Sequence, residues 1–219
     1  MNSKSPVVAE QVVEEFLGDV APLVRQVGGA EGLAALGGVA AVDGSGVADP
    51  TSLRRFLGGY QSRILFPIEL PAIRQAFGHA ARYEVRELIA LDVRLGYERL
   101  LQTVASASRK VGKTQLKRLR PLRDQRLVQR YLHAVQSGEA HGWHTVVYGL
   151  ILSLYSLPLR QGLLRYARQT TLGFLQAASS DLGLDREAGD ALAGEFTACL
   201  PAAVNAVLAA DGGPALPAT

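Results

Sequence analysis

Two histidines and an acid lie close together in a stretch of the chain that is otherwise poor in charge. These residues are Glu139, His141 and His144, and the histidines are three positions apart, so they could share a helix face. Imidazole and carboxylate groups bind transition metals, but a site needs a third or fourth ligand and supporting hydrogen bonds. We therefore predict no metal site here, and we expect His144 to cap a helix or hydrogen-bond near its start.

The tripeptide Gly112-Lys113-Thr114 resembles the end of a phosphate-binding loop. Such a loop follows a strand and needs another glycine five residues before the position of Gly112, so that successive N–H groups face the phosphates. Position 107 is alanine, and the flanking sequence has helical spacing. No Ser-His-Asp or Cys-His set can be assembled elsewhere. The sequence thus predicts no nucleotide site, no cofactor and no catalytic residues.

Positive charge is concentrated between Arg109 and Arg130, where nine Lys or Arg residues accompany a single acid, Asp124. Arg109, Lys113 and Lys117 recur every four residues, which places them along one side of a helix. Such a row could be a solvated face, a contact for an acidic protein or a contact for nucleic-acid phosphates. No aromatic residue is interleaved before Tyr131, so nucleic acid is the weakest of the three. We predict that the row meets a protein partner and contributes little to folding.

The elements that position these residues have helical periodicity. Apolar residues from Trp143 to Leu154 follow helical spacing, and a second such run begins after Leu157-Pro158-Leu159 and extends to Ala178. Because proline ends a helix, we predict a helical hairpin at the centre of a bundle. Residues 140 to 159 include no acid, Lys or Arg, but their polar residues predict a buried helix of a soluble protein and no membrane span.

The remaining chain has further helical signals and no convincing strand alternation. We predict an all-α fold, a bundle of seven to nine helices in one domain over residues 1–219, with a Gly/Ala-rich region at 1–49, a helical core at 50–210 and a flexible tail at 211–219. Asp49-Pro50-Thr51 predicts a helix start. Other helices are predicted at Val7–Gly18, at 72–82 after a break between Pro67 and Pro71, at 84–104, and at 185–209 with a kink at Leu200-Pro201.

Composition favours a globular protein of the cytoplasm. Hydrophobic residues make up 48% of the chain and charged residues 20%, which argues against disorder. A single cysteine, Cys199, excludes an internal disulfide and a cysteine-based zinc site. The first fifteen residues also lack the apolar core of a signal peptide.

Several short motifs together resemble the urease accessory protein F family. A Leu-Asp pair precedes an Ala-Ser-Arg-x-x-Gly element, and an HxxVxGL helix, a Leu-Pro-Leu turn and a tyrosine follow. The positions that carry this pattern are Asp92, Ala107, Ser108, Arg109, Gly112, His144, Gly149, Pro158, Tyr166 and Gly183. Gly28 and Gly29 match a family Gly-Gly pair, but the aromatic-histidine-serine signature that follows it is absent.

The resemblance implies a non-catalytic, all-helical scaffold that helps deliver nickel to urease. It implies three partners, namely an accessory GTPase, a second urease accessory protein and apo-urease, and it implies a homodimer. We expect the partners to meet Arg109, Lys113 and Lys117, or Gly28 and Gly29. The alternatives are a helical nucleic-acid-binding protein that uses residues 109–130, and a diverged family member that serves another assembly.

Overall fold

The computed structural model describes residues 47–210, apart from the side chains of residues 180 and 181. These residues form nine α-helices, one π-helical segment and a short 3-10 turn, with no strand among them. The bounds are α1 Pro50–Tyr60, the π segment Gln61–Glu69, α2 Leu70–Ala81, α3 Val85–Leu95, the 3-10 turn Arg99–Leu101, α4 Ala105–Arg118, α5 Arg126–Ser137, α6 His144–Leu154, α7 Leu159–Leu182, α8 Arg186–Ala198 and α9 Leu200–Ala209. The all-α prediction is confirmed. The predicted helix Val7–Gly18, Gly28, Gly29 and the predicted tail at 211–219 lie outside the described residues.

Helix α1 begins where the sequence predicts it. The Asp49 carboxylate accepts a hydrogen bond of 2.8 Å from the backbone N–H of Ser52, and the Ser52 hydroxyl accepts one of 3.0 Å from the N–H of Asp49. This reciprocal cap satisfies two N–H groups that have no partner inside the helix. Pro50 follows at the start of the helix, where its missing N–H costs nothing.

The predicted break between Pro67 and Pro71 is wrong. The chain remains helical from Pro50 to Ala81, because residues 61–69 change to the wider π-helical register instead of ending the helix. In an α-helix the ring of Pro67 would clash with the carbonyl four residues earlier, and the wider turn moves that carbonyl away. Pro71 lies in the first turn of α2, a position that tolerates proline.

The long helix predicted at 84–104 is also wrong, because α3 ends at Leu95. The chain turns at Gly96 and re-forms only a 3-10 turn at Arg99–Leu101. The Gln102 side chain donates to the carbonyls of Gly96 and Glu98 at 2.8 and 3.1 Å, which satisfies acceptors that a continuous helix would have paired.

The centre of the bundle is the contact between α2 and α6. Helix α6 is buried from His144 to Leu152, which confirms the predicted buried helix. A Cβ atom at Gly149 would lie 2.5 Å from the Ile73 carbonyl oxygen and 2.9 Å from the Phe77 nitrogen, so only glycine permits this approach. The hairpin of α6 and α7 forms as predicted, but the main partner of α6 is α2 and not α7.

The turn between α6 and α7 reverses the chain in four residues. Ser156 adopts a left-handed conformation with φ of 52°, the Leu157 N–H donates to the Leu152 carbonyl at 2.8 Å, and Pro158 immediately precedes α7. Helix α7 then ends at Gly183, whose φ of 60° is the left-handed geometry that favours glycine after a helix.

Helices α8 and α9 continue almost end to end, and the break at Cys199 lies one residue before the predicted kink. The stretch Arg186–Ala209 is long enough to cross a membrane, and an 18-residue window within it has a mean hydropathy of 1.5. Polar contacts attach it to the bundle: Gln61 Nε2 donates to the Phe196 carbonyl at 2.8 Å, and an Arg74 guanidinium nitrogen donates to the Val207 carbonyl at 2.7 Å.

Candidate functional site

A fully buried carboxylate, Asp92 on α3, organises the residues around the start of α6. It accepts hydrogen bonds from the backbone N–H groups of Gly142 at 3.0 Å and Trp143 at 2.9 Å, and also from that of His141. The Tyr131 hydroxyl on α5 donates to it at 2.6 Å. Four donors therefore surround one carboxylate, the kind of network that fixes a single arrangement of a loop.

This network compensates the negative charge of Asp92. Helix α6 begins at His144, and the N–H groups at a helix start have no partner inside the helix and carry partial positive charge. Burial raises the pKa of Tyr131 well above its usual range, and the charge of Asp92 raises it further, so Tyr131 remains a donor. The Asp92 carboxylate therefore binds a loop of the same chain, and neither of its oxygens faces solvent.

The Ala-Ser-Arg-x-x-Gly element lies on α4 and packs against the same loop. The Ser108 hydroxyl accepts a hydrogen bond of 3.3 Å from the backbone N–H of His144. A Cβ atom at Gly112 would lie 2.2 Å from the Gly142 carbonyl oxygen and 2.8 Å from the His144 nitrogen. Ala107 packs at the edge of the core. The small residues of this motif therefore let α4 approach the loop closely.

The cations of α4 do not form one uniform row. The Arg109 guanidinium is half-buried and lies 4.6 Å from the centre of the Trp143 ring, a cation–π contact. Lys113 and Lys117 are exposed, and neither forms an ion pair with any residue in the described range. Arg109 thus packs on the core through this ring, and our expectation that all three cations contribute little to folding stays a prediction.

His144 is buried completely. Among the described residues its ring nitrogens have no hydrogen-bond partner. The expected hydrogen bond near a helix start is made instead by the backbone N–H of His144, which donates to Ser108 at the first residue of α6. The rings of Tyr148 and Tyr166 lie 5.9 and 5.7 Å from its ring. Burial lowers the pKa of His144 to about 4, so the imidazole is neutral at neutral pH. Across residues 47–210, no three His, Cys, Asp or Glu side chains are grouped as a metal site.

The tripeptide Gly112-Lys113-Thr114 lies inside α4. The Thr114 hydroxyl donates to the Lys110 carbonyl at 2.8 Å, as is common for a threonine within a helix. A helix interior has no free N–H groups to offer a phosphate. Within this segment Gly112 packs against the loop, while Lys113 and Thr114 are exposed.

Sequence reasoning missed a second buried polar cluster, which contains Glu69 at the end of the π segment. The Tyr60 hydroxyl donates to the Glu69 carboxyl group, while the Tyr166 hydroxyl faces it without reaching hydrogen-bond geometry. Burial raises the pKa of Glu69 to about 7, and the two tyrosines offset this only in part. A lone acid in the apolar run from Ile64 to Leu70 was the available signal.

These features define a class of protein: an all-α bundle in which the motif residues pack and hydrogen-bond with one another in the interior. The motifs bring Asp92, Ser108, Gly112 and His144 together, while Gly149 and Pro158 shape the helices behind them. The family comparison agrees with this description. A model of the UreF family matches residues 47–196, and the chain belongs to this family of urease accessory proteins. No curated protein sequence matches the chain.

Proposed function

We propose that this protein is a non-catalytic urease maturation factor that joins an accessory GTPase, a second urease accessory protein and apo-urease during nickel insertion in the cytoplasm. The observation that carries the proposal is the family match over residues 47–196, which spans nearly all of the described helices. The packing roles of the motif residues are consistent with a scaffold, because they stabilise the shape of the bundle and leave its surface for partners.

We further propose that a basic surface on α4 and the following segment contacts an acidic partner. We define the basic surface as six exposed cations: Lys110, Lys113, Lys117, Arg120, Arg123 and Arg126. Opposite charges across an interface accelerate association and select the partner, even where they add little affinity. Arg109 lies outside this surface because it stacks on Trp143. Gly28 and Gly29 remain a second predicted contact region.

The test is a charge reversal that leaves Arg109 intact. The double variant Lys113→Glu/Lys117→Glu should retain the melting temperature but lose pull-down of the GTPase or the urease complex, and it should slow nickel-dependent urease activation in cells. The control is Arg86→Glu/Arg168→Glu, which makes the same charge change at exposed positions on α3 and α7. Normal pull-down and activation with the Lys113/Lys117 variant would rule out the basic surface as the contact.

The same run of cations supports nucleic-acid binding as the alternative function. Charge-driven binding should appear in gel shifts at low salt and weaken steeply as the salt concentration rises. Tight binding at physiological salt with a sequence preference would contradict the urease proposal. The proposed homodimer is tested separately, by the mass of the full chain in light scattering.

A further inference from the structure

The π segment connects two contacts that hold the bundle together. At one end the Tyr60 hydroxyl, from the last residue of α1, donates to the carboxyl group of Glu69 at the other end. Between them, Gln61 Nε2 donates to the carbonyl of Phe196 at 2.8 Å and approaches the Thr171 hydroxyl at 3.3 Å. The same nine residues therefore contact α7 and the end of α8.

The contact between Tyr60 and Glu69 exists only in the π register. Nine residues of α-helix make two and a half turns at about 3.6 residues per turn, which would place the two side chains on opposite faces. In a helix with i→i+5 hydrogen bonds, nine residues make roughly two turns, and the side chains return to the same face. The hydrogen bond between Tyr60 and Glu69 therefore stabilises the π-helical register, and its loss weakens that register.

Within residues 47–210, no cation balances the charge of Glu69. The groups that act on it are the hydroxyls of Tyr60 and Tyr166. Behind Tyr166, α6 contributes Tyr148 and the neutral ring of His144, and Arg165 acts on Tyr148. Thr170 adds only a hydroxyl beside the two tyrosines. A carboxylate ion in this environment costs much more than a neutral carboxyl group, so ionisation favours any state in which Glu69 reaches water.

We infer that the π segment is a proton-controlled switch that sets how firmly α8 and α9 are attached to the bundle. With Glu69 protonated, the π register, the Tyr60 contact and the Gln61 bond to Phe196 persist together. When Glu69 ionises, the segment opens to bring the carboxylate to water, and the Gln61 bond that holds the end of α8 is lost with it. This inference does not depend on the partners proposed above.

The measurement is amide hydrogen exchange of the full chain between pH 5 and pH 8, corrected for the intrinsic pH dependence of exchange. The carboxyl group should have a pKa near 4.5 when open and about 7 when closed. The opening of residues 61–69 and 196–204 should therefore increase on the order of thirtyfold from pH 5 to pH 7 and then level off. Helices α3 to α5 should show no such increase.

Two variants test the assignment to Glu69. Glu69→Gln keeps the shape but cannot ionise, so opening of the two segments should become independent of pH. Glu84→Gln is the control, because the neighbouring Arg82 and His79 lower the pKa of Glu84 to about 2 and it stays charged throughout. If Glu69→Gln does not fold, carbon NMR of the wild-type carboxyl group decides: a Glu69 pKa near 4.5 overturns the switch. A pH-independent wild type, or an equal increase in every helix, also overturns it.

Discussion

The carboxylate of Asp92 accepts a hydrogen bond of 2.9 Å from the backbone N–H of Trp143, which lies 51 residues further along the chain. The pair joins α3 to the start of α6 in the interior of the bundle. Because the acceptor belongs to a side chain and the donors to the backbone, substitution at position 92 removes the acceptor and leaves buried N–H groups without a partner.

Asp92→Asn should therefore destabilise the protein strongly. The amide keeps one acceptor but directs a donor toward backbone N–H groups, at a cost of about 3 kcal/mol. For a protein of this size, that corresponds to a fall in melting temperature of roughly 6–12 °C. Asp124→Asn makes the same chemical change at an exposed position and should leave stability almost unchanged. Equal melting temperatures for the two variants would contradict the role of Asp92.

Two glycine-to-alanine substitutions should have opposite effects. At Gly112 the added methyl group meets the Gly142 carbonyl oxygen, which cannot move without displacing the loop, so we expect a loss of about 2–3 kcal/mol. At Gly194 on α8, nothing lies within 4 Å of the added atom, and alanine should stabilise the helix by up to about 1 kcal/mol. Urea denaturation of both variants measures the difference. A neutral Gly112→Ala would mean that α4 does not approach the loop this closely.

Arg109 should matter for packing where Lys113 does not. Arg109→Ala removes the cation above the chain's single tryptophan, Trp143, and should cost about 1–2 kcal/mol and change its fluorescence. Lys113→Ala, one turn further along α4, should alter neither property. If the two variants give the same fluorescence and stability, the stacking contact does not persist in solution.

The two buried titratable groups should have opposite effects on stability as pH changes. The folded-state pKa of Glu69 is raised to about 7, so its contribution is complete below pH 4.5 and is lost as pH rises to 7. The folded-state pKa of His144 is lowered to about 4, so its contribution is complete above pH 6.5 and is lost as pH falls to 4. Between pH 4.5 and pH 6.5 these two slopes nearly cancel in the wild type.

Replacing one of the two groups should leave a pH dependence of stability that comes from the other group alone. Stability of Glu69→Gln should rise by roughly 3 kcal/mol, relative to wild type, from pH 4.5 to pH 7, and stability of His144→Gln should fall by a similar amount from pH 4 to pH 6.5. Denaturation of all three proteins at several pH values gives these differences. Parallel curves for wild type and both variants would mean that neither group is buried as described.

Sequence periodicity was sufficient to predict the all-α fold and the starts of α1 and α6, because apolar spacing and caps are local properties. Asp49-Pro50-Thr51 marks a helix start, and the run from Trp143 to Leu154 marks a buried helix, without any knowledge of neighbours. Pro67 misled the prediction because a proline usually ends a helix, and the register change that accommodates it accompanies the contact between Tyr60 and Glu69. The lone acid in the apolar run indicated a buried polar group, but only the π register identifies Tyr60 as its partner.

The residues of the candidate site were identified from the sequence, but the contacts that each of them makes were not predicted. Asp92, Ser108, Gly112 and His144 were identified through the family resemblance, yet nothing in their spacing shows that one carboxylate holds a loop 49 to 51 residues away. Arg109 was grouped with Lys113 because both are cations at helical spacing. The difference between the two cations becomes visible only in the structure, where the Trp143 ring lies beside Arg109 and gives that residue a packing contact.

The bond between Asp92 and the loop at 141–143 has a consequence for how relatives of this protein can differ in length. The entropy of closing a loop grows only slowly with its size, about 0.6 kcal/mol for each doubling. The end of the connection between α4 and α5, residues 123–125, lies within the closed loop but outside the contacts of Ser108 and Gly112 and outside the hydrogen bonds from Gln129 to the carbonyls of Arg120 and Leu122. Insertions and deletions should therefore accumulate there, changing the number of surface arginines between one species and another while the bundle beneath stays the same.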